Sequence, residues 1–81
     1  MSSTESAVYD ELIDLLADNA DAKRLVSFRL SPGKQARLKD LLARNRDGAL
    51  SRDEAAELDA FERLEHLVRL LKARLLGRRG T

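Results

Sequence analysis

The stretch SRDEAAELDAFERLEHLVRLLKARLLG, residues 51–77, decides the fold. Leu58, Phe61, Leu64, Leu67 or Val68, Leu71 and Leu75 recur at the three- and four-residue spacing of one helical face. Ser51 and Glu54 form a Ser-x-x-Glu box at its start, and Asp53, Glu54 and Glu57 sit where the helix dipole favours negative charge. Neither proline nor glycine interrupts it before Gly77, and Arg74, Arg78 and Arg79 suit a C-terminal end. The pattern predicts a helix over about 51–76, roughly 39 Å long.

Working back from Ser51, Gly48 supplies a residue able to adopt the left-handed conformation that ends a helix near Arg46 or Asp47. Ser31-Pro32 opens that helix, a capping hydroxyl followed by proline at the first helical position. Leu38, Leu41 and Leu42 form its apolar face, with Lys34, Arg37, Lys39 and Arg44 outside, which places a helix over about 32–46. Before it, Val26, Phe28 and Leu30 alternate with Ser27 and Arg29, a period of two that suggests extended chain. Asp21 could equally cap one helical turn through Leu25 and Val26. Residues 21–30 therefore read as a short turn followed by an extended segment, because Ser31 precedes proline.

At the amino end, Ser2, Ser3, Thr4 and Ser6 offer caps, with Glu5 as the capping-box partner of Ser2. Val8, Leu12 and Leu15 make a helical stripe, and Tyr9, Ile13 and Leu16 repeat it one step round. A helix over about 4–18 ends in the helix-poor Asp18-Asn19-Ala20-Asp21. Together these elements give one all-α domain over 1–81, three principal helices with the longest last. Sixteen leucines against three aromatics agree with helix packing.

Composition narrows the chemistry. The 81 residues include no cysteine and one histidine, which excludes a disulfide scaffold, a thiolate zinc finger and a Cys nucleophile. Hydrophobic residues at 43% and charged residues at 36% fit a folded domain. The net charge of +1 exerts no overall pull towards nucleic acid or membrane. No basic leader precedes an apolar run, and Leu64–Leu76 is broken by Arg69, Lys72 and Arg74, so the expectation is a cytoplasmic protein with no membrane partner.

Asn45 to Glu54 imitates a calcium loop, with Gly48 at position six and Glu54 at position twelve, but position one falls on Ala43, which has no side-chain oxygen. A helix stop at Gly48 and a helix start at Ser51 explain the same residues. His66 has no second histidine or cysteine to share a metal. No phosphate-binding glycine loop or nucleophile elbow occurs. The expectation is a non-enzymatic protein without cofactors.

Charge is segregated along the chain. Residues 1–22 hold six acids and no base, whereas residues 23–50 hold eight bases and two acids. Val26-Ser27-Phe28-Arg29-Leu30 followed by Ser31-Pro32 resembles the opening of ribbon-helix-helix repressors. In that family a strand from each of two subunits pairs and its outward side chains read the major groove. The resemblance would make Ser27, Arg29, Lys34 and Arg37 DNA-binding, and it stands as the alternative reading.

The last helix carries more apolar surface than one core-facing stripe requires. A fully buried leucine contributes about 1.5–3 kcal/mol, so leaving several in water forfeits much of a small domain's stability. Such a surface marks an interface. Leu64, Leu67, Val68, Leu71 and Leu75 are expected to meet a protein partner or a second copy, with Arg69, Lys72 and Arg74 steering an acidic counterpart.

Tyr9-Asp10-Glu11-Leu12-Ile13-Asp14, Val26-Ser27-Phe28, Gly48-Ala49-Leu50-Ser51, Glu57-Leu58-Asp59 and the run from Leu64 to Arg74 occur in that order. Together they resemble a family of small, uncharacterised bacterial helical proteins, some encoded beside toxin-like nucleases. The resemblance covers residues 9–75 and is most specific over Leu64–Arg74. It implies an antitoxin-like or accessory role in which the small protein binds a partner, and it carries over no functional residue.

Overall fold

A computed structural model describes residues 3–79 of the chain. It contains α1 (Ser3–Ala17), α2 (Ala22–Val26), α3 (Pro32–Arg46) and α4 (Arg52–Arg79), and no strand among the described residues. The all-α class and the long final helix agree with the sequence reading. The capping box drawn from Ser2 lies outside the described residues.

Local chemistry sets each boundary. At the end of α1, Asn19 takes φ 56° and Ala20 N–H donates to Leu15 C=O, which caps the helix with a left-handed residue. Gly48, at φ 68°, does the same for α3, where Ala49 N–H donates to Arg44 C=O. Asp21 accepts from Arg24 N–H at 2.9 Å and starts the single turn of α2. The Ser51–Glu54 box is formed in both directions, at 3.0 and 3.1 Å. The two ends of the imitation calcium loop are thus a helix stop and a helix start.

Gly77 does not end α4, which continues to Arg79. A helical glycine costs about 1 kcal/mol relative to alanine, which weakens a helix without terminating it.

Each of α1, α2 and α3 packs on α4, which serves as the spine. The core comprises Val8, Leu12, Leu41, Leu58, Ala60, Phe61 and Leu64, with Tyr9, Phe28, Leu30, Leu38, Leu50 and Val68 packed around it. All four α4 core residues come from its first half. The molecule is accordingly long, 46 × 23 × 22 Å, and its 14.3 Å radius of gyration exceeds the roughly 11.7 Å of a compact chain of this length.

Polar ties join the helices. Arg37 holds Glu57 in a two-pronged pair at 2.8 and 2.9 Å, and Arg44 holds Glu54, linking α3 to α4. Asp40 lies 3.5 Å from Arg37 and 3.2 Å from Arg44 on the same face of α3. One turn earlier on α3, Lys34 binds Asp10 at 2.8 Å and the Ala7 carbonyl.

Candidate interaction surface

The segment between α2 and α3 does not form the strand that a DNA reader would need. Val26 belongs to α2 and Ser27 caps it. Beyond them, the backbone is held by side chains from three helices. Lys72 of α4 donates to Phe28 C=O at 2.8 Å, Gln35 of α3 donates to Leu30 C=O at 2.6 Å, and Ser31 N–H donates to Glu11 of α1 at 2.9 Å. The alternation of Val26, Phe28 and Leu30 reflects a linker draped over the core. Phe28 and Leu30 pack inward while Arg29 stays exposed.

This changes the standing of the residues expected to read DNA. Lys34 and Arg37 are engaged with α1 and α4, so neither is presented as a free cation. Ser27 is a helix cap. Ser27 and Arg29 are exposed, and of the three cations Arg29 alone takes part in no ion pair among the described residues.

The set expected to bind a partner also divides. Leu64 is a core residue, 1% exposed, and leaves the expected contact surface. The opposing helices reach one turn further along α4 than its length suggested. Val68, Leu71 and Leu75 are half-buried, because α2 and the linker add cover beyond α1 and α3. Leu67, Arg69 and Arg74 are exposed, as are Leu70 and Leu76. Lys72 is the clamp on Phe28.

Several of these residues converge in a groove of about 580 Å³ between α3, the linker and the middle of α4. Its floor is apolar: Phe28, Leu30, Leu38, Leu42, Leu64 and Val68. Its rim carries four cations, Arg29, Lys39, Arg69 and Lys72, against one acid, Glu65. Arg29, Lys39 and Arg69 have no ion-pair partner among the described residues. Leu76, one turn beyond Lys72 on α4, extends the apolar lining towards the helix end. Sequence reasoning found Arg29, Leu64, Val68, Arg69 and Lys72 but assigned them to two separate functions. It missed Lys39, Leu38 and Leu42. Their signal was an α3 apolar stripe wider than Leu41 alone requires.

Two acids at the start of α4 have a structural role. The Glu54 carboxyl lies below its ordinary 4.5 because Ser51 N–H and then Arg44 donate to it, and Glu57 lies below 4.5 chiefly through its bond from Arg37. Both carboxylates are committed to helix joints. Among the described residues no group of histidine, cysteine or carboxylate side chains is disposed to hold a metal ion. No helix there is long and apolar enough to cross a membrane.

The fold defines a small all-α domain, three helices laid on a fourth, with a basic-rimmed apolar groove. Comparison with family models, with curated proteins and with solved structures finds no match.

Proposed function

We propose that the protein is a non-enzymatic interaction module whose groove accepts an acidic, amphipathic helix from a partner protein. The observation that carries this reading is the pairing of an apolar floor with four rim cations and one acid. Apolar side chains at i, i+3 or i+4 and i+7 of a bound helix would fill the floor. Carboxylates flanking them would meet Arg29, Lys39 and Arg69, which raises association rate and sets orientation. Lys72 contributes by holding the linker wall in place.

The resemblance to small bacterial proteins encoded beside nuclease-like toxins makes an antitoxin-like partner the particular form of this proposal. In that form the groove would hold a helix of the nuclease and keep the enzyme inactive. Co-expression with the products of adjacent genes tests this narrower claim.

The broader claim is tested by selection from a displayed library of helical peptides. Enriched sequences are expected to combine helically spaced apolar residues with flanking Asp or Glu. Their binding should fall at least about tenfold in Arg29→Glu with Arg69→Glu, and should weaken as salt screens the rim. Enrichment of neutral or basic peptides, or none, overturns it.

A further inference from the structure

The wall that the linker gives to the groove is held by side chains. Phe28, Arg29 and Leu30 line the groove. Phe28 N–H closes a turn onto Leu25 C=O, but Arg29, Leu30 and Ser31 donate to no backbone carbonyl among the described residues. Backbone without a ladder keeps one path only where side chains order it. Half-buried Phe28 and Leu30 supply packing. Three bonds fix the rest: Lys72 to Phe28 C=O, Gln35 to Leu30 C=O, and Ser31 N–H to Glu11.

These ties are not equivalent. Lys72 and Gln35 themselves line the groove, so an occupant touches them. Glu11 stands outside the lining, on α1. Its carboxylate is half-buried, accepts from Ser31 N–H at 2.9 Å, and joins no ion pair among the described residues. The bond falls on the N-cap of α3. The first turn of α3 has no acid of its own and carries Lys34, so Glu11 also brings the negative charge that a helix N-terminus favours. A carboxylate bonded to a backbone N–H is among the stronger hydrogen bonds, and this one pins the residue next to Leu30.

Resting on the groove's role as a site for an acidic helix, we infer that Glu11 is a positioning residue for it. By holding Ser31, Glu11 sets the path of the linker and so where Phe28, Arg29 and Leu30 stand against an occupant. Without Glu11 the linker end is loose, and an occupant has to order it on binding, which costs affinity. The loss is confined to what the linker contributes, because Lys39 and Arg69 stand on the bodies of α3 and α4.

Calorimetric titration of the full chain with one selected acidic peptide tests this. Glu11→Ala should weaken binding about fivefold, with the helical circular dichroism retained. Glu11→Gln, whose amide oxygen accepts the same bond, should recover most of the loss. Two backgrounds separate positioning from a general loss of stability. In Arg29→Ala the linker has already lost its cation, so adding Glu11→Ala should cost only about twofold more, whereas in Lys39→Ala it should cost the full fivefold or so. Without peptide, exchange of the Ser31 amide hydrogen should quicken about tenfold in Glu11→Ala. An unchanged Ser31 amide overturns the inference. So does a Glu11→Ala chain that binds as tightly as wild type, an equal loss in the two backgrounds, or no recovery with Glu11→Gln. A wild-type chain that selects no acidic peptide marks instead a failure of the groove reading, and the inference falls with it.

Discussion

The two halves of α4 differ both in sequence and in burial. In the first half, Leu58, Ala60, Phe61 and Leu64 are core, and Arg37 and Arg44 bind the acids just before them, Glu57 and Glu54. In the second, Leu67, Leu70 and Leu76 are about half exposed, and Arg69 and Arg74 take part in no ion pair among the described residues. Residue type differs: residues 52–65 hold two leucines and six acids, whereas residues 66–79 hold five leucines and no acid. The buried side chains of α1 and α3, Val8, Leu12 and Leu41, cluster with those of the first half, whereas Val68, Leu71 and Leu75 of the second are half-buried.

The contrast is broken most directly by truncation. Phe61→Ala, at a 2% exposed position, should cost about 3–5 kcal/mol, enough to unfold much of a domain this small, as read by urea denaturation. The matching change in the second half, Leu70→Ala, should cost under about 0.5 kcal/mol in the monomer. Equal costs would mean that the second half is packed as well as the first.

Gly48→Ala sharpens the comparison at the turn that launches α4. Its φ of 68° is open in space but left-handed, so the methyl group costs about 1–2 kcal/mol through backbone strain alone. Asn should be tolerated better there than Ala, as Asn19 is at the end of α1.

A smaller effect comes from acid. Glu54 and Glu57 have carboxyls lowered from 4.5 by Ser51 and Arg44 and by Arg37, so they favour the folded state when ionised. Their contribution is complete above about pH 4.5 and is lost as pH falls through the lowered folded values. The urea midpoint should drop over that window, and Glu57→Gln should flatten the drop.

Much of the fold was legible in the sequence because its boundary signals are local. Ser31-Pro32, Gly48 and the Ser51–Glu54 box each act within a few residues, and each stands where expected. Residues 22–30 were ambiguous for a physical reason. Val26, Phe28 and Leu30 have the spacing of a strand, but their backbone is claimed by Lys72, Gln35 and Glu11 from distant positions in the chain. The candidate sites were half legible. Arg69 and Lys72 stood out as cations within an apolar helix, but Leu64 could not be distinguished from Leu67 by spacing. Lys34 and Arg37 looked as free as Arg29 until Asp10 and Glu57 were placed beside them.

The three principal helices, the turn and caps that separate the last two, and the surplus of leucine on the last helix follow from the sequence alone, since capping chemistry and hydrophobic period operate within a few turns. Which leucines are inside, which arginines are paired, and where the groove opens were decided by tertiary structure. Those properties depend on what stands across from a side chain, and residues far away in the chain supply it.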